Sequence, residues 1–391
     1  MAELSQICRA AREGERQRQE PLWLATVMQV KGSAYRHPGA RMLFSSSQLL
    51  AGSVSGGCLE AGIIRRGPWL ARERPICLRF DGSREQEDDE SPAGTGCDGI
   101  VDILIERASF DGPCAPLAVI EDCLRVERRA VLATIFQSSD ALAPVGARLT
   151  LDEAGKFSSH GLSGPSWGTL AQAAERALLE QPAGAQRVSS DGFEALLEVV
   201  EPAPHLFVLG TGRDALPLVE FAAALGFGVT VCNTSARFAV RERFAAKAEL
   251  HIGSIASVST LIATRRTPVA VVMTHHYPTD RQALGMLLDS RAAYIGMLGP
   301  LRRSQRMLHE LFPDSALLAK RDLARVRAPL GLDLGAETPA QIALSAIAEV
   351  QAVLARASAL PLSQRGNQAI HCPIPELTLP AAPALAQTGT A

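Results

Sequence analysis

The chain lacks any run of about 18 apolar residues free of charge, the length a membrane-spanning helix needs. Even "ALPLVEFAAALGFGVTVC" carries Glu220. The start, "MAELSQICRAAREGERQRQE", is charged throughout and has no apolar core, so it is not read as a secretory signal. A soluble cytoplasmic protein with no membrane partner is the expectation. An excess of one charge sign is also missing. The 39 Lys and Arg against 41 Asp and Glu leave a net charge of −2, no electrostatic reason to expect nucleic acid. Absent too is any C-x-x-C pair. The 8 cysteines (Cys8, Cys58, Cys77, Cys97, Cys114, Cys123, Cys232 and Cys372) are scattered, which argues against a disulfide framework and a structural zinc site. Reduced thiols are expected, and no internal repeat is visible.

What is present suffices for two ordinary domains: 391 residues, 47% hydrophobic and 20% charged. Residues 1–200 mix short strand-like runs with glycine-rich loops, an α+β pattern. "PLWLATVMQV", "PICLRF", "IVDILIE" and "AVLATIF" read as strands, with others near Ala147 and Phe193, and 115–128 reads as a helix. "CLEAGIIRRG" looks helical from Cys58 until Gly67-Pro68 interrupts it. From His205 the rhythm becomes regular β–α alternation. "HLFVLG", "GVTVC", "AELHI", "PVAVVMT" and "AAYIGML" are strands, the apolar ones fit for a parallel sheet covered on both faces. The fold class is therefore α/β, a C-terminal Rossmann-like, doubly wound parallel sheet over 203–357 behind a smaller N-terminal α+β domain. Five strands in the order 3-2-1-4-5 are expected. In "ETPAQIALSAIAEVQAVL", Thr338, Pro339 and Gln341 form a capping box that starts the last helix. Residues 358–391 are proline-rich and aperiodic, a flexible tail.

Two glycine loops carry candidate chemistry. In "LGTGRDALPLVEFA", Gly210, Gly212 and Ala215 make a G-x-G-x-x-A pattern between strand and helix. It reads as an anion or nucleotide site at a helix N-terminus, or as a crossover where glycines merely pack. NAD folds place an acidic residue about 20 positions on, at the end of the second strand. Asn233 stands there, with Arg237 close behind to meet an extra phosphate, so plain NAD is disfavoured and NADP remains the alternative. The fourth strand ends "VVMTHHYPTD", which puts Thr274, His275 and His276 near the glycine loop at the switch point, while Asp280 caps the next helix. Arg302 and Arg303 either clamp an anion or solvate a helix. In "GSVSGGCLEAG", Gly56 and Gly57 precede Cys58 and a helix start. The glycines admit a close approach, and the helix N-terminus would favour a thiolate at Cys58; the plainer reading is a glycine turn before an inert cysteine.

Several motifs occur in the order found in XdhC/CoxI-family proteins, accessory factors of molybdenum hydroxylases such as xanthine dehydrogenase and CO dehydrogenase. They are "VKGSAYRHPGARMLF", "GSVSGGCLEA", "GTGCDGIVDILIE", the strand–loop–helix from Leu206, "VVMTHH", "YIGMLG" and "GLDLGAETPAQIALSAIAEV". The resemblance spans roughly 20–355. It implies a chaperone, not an enzyme with turnover of its own, that binds molybdenum cofactor and assists its sulfuration and insertion into an apo-hydroxylase. Its implied site is Ser55, Gly56, Gly57, Cys58 and Glu60 with Gly96 and Cys97, facing Gly210 to Gly212. The chemistry of a soft metal–dithiolene centre suits Cys58 as its ligand, and the strand order adds His275 beside the glycine loop. Glu60 would orient the thiol or a water, or complement the helix dipole. A cysteine desulfurase and a homo-oligomer are the further partners expected. Departures from the family pattern are Tyr35 for a proline, Asp98 for a glycine, Asn233 and Ser235 for the Asp and Arg of D-x-R, and Glu337. Two other readings stand beside this one: an NADP-dependent oxidoreductase with His275 or His276 as proton donor, and a scaffold that recruits a desulfurase without holding cofactor. Cys77, inside an apolar strand, is expected to be buried and inert.

Overall fold

The structure is a computed structural model, and the residues it describes are 2–17, 20–32, 34–82, 99–180, 184–234, 241–244, 247–319, 321–365 and 375–378. The chain divides into two compact units, one built on Glu3–Glu201 and one on Pro202–Ile370.

The first unit runs α1 (Ala2–Arg16), β1 (Trp23–Lys31), β2 (Arg41–Phe44), β3 (Leu49–Gly52), α2 (Glu60–Leu70), β4 (Ile76–Asp81), β5 (Ile100–Arg107), α3 (Pro116–Val126), β6 (Ala130–Ser138), β7 (Arg148–Asp152), β8 (Phe157–His160), α4 (Pro165–Glu180), β9 (Gly184–Ser190) and β10 (Phe193–Val200). Strands β3-β2-β1-β5-β4 form one antiparallel sheet, and β9-β10-β6-β7-β8 the core of a second. Alternation along β1 sets the layers. Trp23, Ala25 and Val27 face α2 through Ile63. Leu24 and Met28 face the other way, onto residues of the second sheet such as Leu132, Phe136 and Leu196. Helices α1 and α3 pack on that side, and α4 covers the outer face of the second sheet. Two buried ion pairs join the sheets. Arg41 on β2 grips Glu198 on β10 at 2.6 and 2.9 Å, and Arg148 on β7 grips Glu106 on β5 at 2.5 Å. Removing one partner of such a pair would strand a buried charge at a cost of about 3–5 kcal/mol.

The second unit continues with β11 (His205–Leu209), α5 (Ala215–Ala224), β12 (Gly228–Asn233), α6 (Arg241–Phe244), β13 (Glu249–Ile252), α7 (Ile255–Thr264), β14 (Pro268–Val272), α8 (Tyr277–Leu288), β15 (Tyr294–Met297), α9 (Leu301–Leu311), α10 (Ser315–Ala319), β16 (Val326–Arg327) and α11 (Pro339–Leu354). Its sheet is parallel in the order β13-β12-β11-β14-β15-β16. That is the expected 3-2-1-4-5 arrangement, extended by a two-residue sixth strand too short to leave a periodic trace. The α11 capping box forms as the sequence predicts, between Thr338 and Gln341.

Three expectations are corrected. Helix α2 runs through Gly67 and Pro68 to Leu70 instead of stopping there. Gly67 lets the helix lie close on the sheet, since a Cβ there would already be 3.2 Å from Phe44. Packing thus outweighs the hydrogen bond lost at Pro68. Within the segment read as a tail, β17 (Glu376–Thr378) pairs in parallel with β9, an edge strand with unpaired backbone groups to offer. Cys77 is half-buried, because β4 is an edge strand of its sheet. No described helix is long and apolar enough to cross a membrane.

Candidate functional site

The Cys58 loop connects β3 to α2, and the carboxylate of Glu60 organises it. Glu60 is the first residue of α2 and is 7% exposed. Its Oε1 accepts the N–H groups of Val54 (3.2 Å) and Ser55 (2.8 Å). Its Oε2 accepts the Leu59 N–H at 3.2 Å and the Ser55 hydroxyl. Ser55 Oγ in turn accepts from the N–H groups of Gly57 and Leu59, both at 3.1 Å. Burial alone would raise the Glu60 carboxyl's pKa, but the Ser55 hydroxyl and these N–H groups hold it below the ordinary glutamate value. Glu60 therefore turns inward, as the knot of the loop. It meets the positive end of the helix itself, leaving less of that charge for the thiol.

What the knot presents is open. Gly57 holds φ +110°, and a Cβ there would meet nothing within 4 Å. Gly56 lies under the ring of Tyr35, which is 67% exposed. Cys58 is half-buried, just before the helix and not within it. Gly96 and Cys97, assigned to the same site by resemblance, lie outside the described residues, as do Asp98, Ser235 and Arg237. Burial pushes several thiols up: Cys8 to about 11, Cys77, Cys123 and Cys232 each to about 12, and Cys114 in the same direction.

The glycine loop of the second unit is built differently. Gly210 has φ +143°, and a Cβ there would lie 2.4 Å from the Met273 carbonyl oxygen, so strand packing alone demands a glycine. A Cβ on Gly212 would lie 2.2 Å from Asp214 Oδ1. The Asp214 carboxylate thus lies over the loop, in the direction from which a phosphate would come. Its Oδ2 bonds His275 Nε2 at 2.7 Å, which brings His275 to the loop as the strand order requires. His275 has φ +60°, a left-handed conformation uncommon outside glycine. Asn233 donates from Nδ2 to Thr211 Oγ1 at 3.0 Å, so the residue at the ribose position braces the loop. A cavity of about 100 Å³ beside the loop has apolar walls, including Val271, Met273 and Ile342, with Asp214 and Glu337 at its edge. Asp280 accepts from Thr274 N at 3.2 Å and from its hydroxyl, and pairs with Arg303 at 2.8 Å, which directs Arg303 inward.

Sequence reasoning overlooked Asp214. An acidic residue is ordinary where a helix begins, and "GTGRD" does not say which way its carboxylate turns. Among the described residues, no group of three or more His, Cys, Asp or Glu side chains could hold a metal ion.

Comparisons with known proteins agree with this architecture. Residues 15–81 match the XdhC and CoxI family, and residues 206–350 match the XdhC Rossmann domain. A Bacillus subtilis protein named as a probable xanthine dehydrogenase subunit is 30% identical over 335 residues, 85% of this chain and 93% of that one. An uncharacterized protein of Escherichia coli, YqeB, is 30% identical over 171 residues, 43% of this chain and 31% of its own. A crystal structure titled as a xanthine dehydrogenase from Bacillus halodurans has the same fold, with TM-score 0.70 at 23% identity and coverage of 93% of this chain and 99% of that one. The Cys58 loop and the doubly wound unit are thus parts of one shared architecture, and the chain belongs to the XdhC and CoxI family.

Proposed function

We propose that this protein is an accessory factor of a xanthine dehydrogenase or CO dehydrogenase-type molybdenum hydroxylase. It takes up molybdenum cofactor as cargo, assists its sulfuration and passes it to the apo-hydroxylase, with a cysteine desulfurase as the sulfur source. The observation that carries this reading is the Cys58 loop: a half-buried thiol beside open space at Gly57, on a backbone pinned by the buried Glu60 carboxylate. A thiol suits a soft metal–dithiolene centre, and the pinned backbone keeps it in place without a cost of ordering at each encounter. Family membership supports the client class, and the relative named as a xanthine dehydrogenase subunit points the same way. An NADP-dependent oxidoreductase has less support, because a carboxylate faces the phosphate approach and Asn233 is engaged with Thr211.

The test is Cys58→Ala in a molybdenum-replete cell, with metal and oxidised pterin quantified in the purified protein. The variant should keep its fold, retain roughly tenfold less of both, the equivalent of about 1.4 kcal/mol, and fail to activate the client. Retention and activation equal to the parent would reduce Cys58 to a structural residue and end this reading.

A further inference from the structure

A cavity of about 620 Å³ opens in the first unit, within the size range of small-molecule sites. It lies against α3 and β7, and no part of the Cys58 loop lines it. Helices α2 and α3 pack on opposite faces of the first sheet, so the two places are separate. Its apolar wall includes Val119, Val126 and Leu151, and Thr150 and Ser158 add hydroxyls.

The charges around it are unevenly spent. Asp122 pairs with Arg125 at 2.7 Å, and Arg129 pairs with Glu201 at 2.8 Å. Asp152 Oδ1 accepts the N–H groups of Ala154 and Lys156, both at 2.9 Å. The side chains of Arg128 and Lys156 line the cavity without an ion-pair partner among the described residues. Burial, then the charges of Asp122 and Glu153, push the Cys123 thiol up to about 12, so this lining thiol stays protonated and offers no nucleophile. The chemistry available is binding.

We propose that this cavity binds an organic phosphate, a phosphate monoester carried on a flat or apolar body. Arg128 and Lys156 outnumber Asp152, the lining carboxylate that has no cation partner, and the guanidinium fork of Arg128 suits phosphate oxygens in pairs. The body lies along Pro113, Ala118 and Val126, the apolar lining residues not already buried, and covering them supplies the preference over a bare ion.

Calorimetric titration of the full chain tests this with AMP, adenosine and inorganic phosphate as probes. AMP should bind, with adenosine and inorganic phosphate each about tenfold weaker or more, since each lacks one half of the recognition. The double variant Arg128→Gln, Lys156→Gln, which alters only exposed side chains, should lower AMP affinity by about tenfold or more. The proposal is overturned if AMP fails to bind the parent, or if the double variant binds it as well as the parent. It is equally overturned if inorganic phosphate binds as tightly as AMP, because the apolar wall then plays no part.

Discussion

The Cys58 loop and the glycine loop at Gly210 are two versions of one local design. Each runs from a strand through glycines into a helix, and each places a carboxylate at the helix start. The carboxylates point opposite ways. Glu60 turns inward onto Val54, Ser55 and Leu59, and leaves open space at Gly57. Asp214 turns outward over Gly212 and holds His275. The first loop leaves the space above its glycine open, and the second is filled by its own side chain. A glycine signature therefore reports that backbone comes close to something, and not what that something is.

The glycines themselves give the sharpest contrast. Gly210→Ala should destabilise the second unit by about 4 kcal/mol, because its Cβ would strike the Met273 carbonyl oxygen in a left-handed backbone. Gly57→Ala carries only the backbone term, about 1–2 kcal/mol, since its Cβ enters open space. Urea unfolding followed by hydrogen exchange in each unit measures both, and equal losses would break the comparison.

Glu60→Ala should cost the first unit about 3 kcal/mol, as buried N–H groups and the Ser55 hydroxyl lose their acceptor. The same unfolding experiment applies, and a loss under about 0.5 kcal/mol would mean the knot contributes little to stability.

Acid should separate the units. His205, 4% exposed on β11 with Nε2 2.8 Å from Thr230 Oγ1, has its pKa lowered to about 3, first by burial and then by the charge of Arg265. The unfolded chain binds a proton near pH 6.5 that the folded one refuses. This contribution is therefore complete above pH 6.5 and declines by about 1.4 kcal/mol per unit as pH falls from there toward 3. Glu60, with its pKa depressed, contributes stability above its unfolded value of about 4.5 that is lost as pH falls through its lower folded value. Hydrogen exchange at pH 5 should show protection falling in β11 and β12 while the Cys58 loop keeps its own. A uniform loss would contradict this.

The smallest effect belongs to Asp214→Asn. Stability should change by less than about 1 kcal/mol, because the His275 side of the pair is exposed. Pyrophosphate binding at the glycine loop should strengthen by roughly tenfold once the facing charge is gone. No gain in a direct titration would show that Asp214 is not what keeps anions away.

Much of this protein was legible in the chain itself. Apolar strands alternating with helices specify a doubly wound sheet, and the β-α-β hand leaves few ways to order it. The Thr338–Gln341 capping box is local chemistry, and so is the left-handed turn at Gly57. The short strands β2, β3 and β8 were not legible, because four residues hold too few alternations to register a period and, unlike β13 and β15, no regular β–α rhythm marks their place. Nor were the pairs Arg41–Glu198 and Arg148–Glu106, whose partners stand 157 and 42 residues apart. The two loops divide along the same line. Sequence determined where glycine, thiol and carboxylate fall along the chain, since each loop is a contiguous run. Tertiary structure decided which way the carboxylates turn. Glu60 faces unpaired N–H groups of its own loop, and burial makes those bonds worth more than bonds to water. Asp214 has His275 brought to it by the neighbouring strand, and turns outward to meet it.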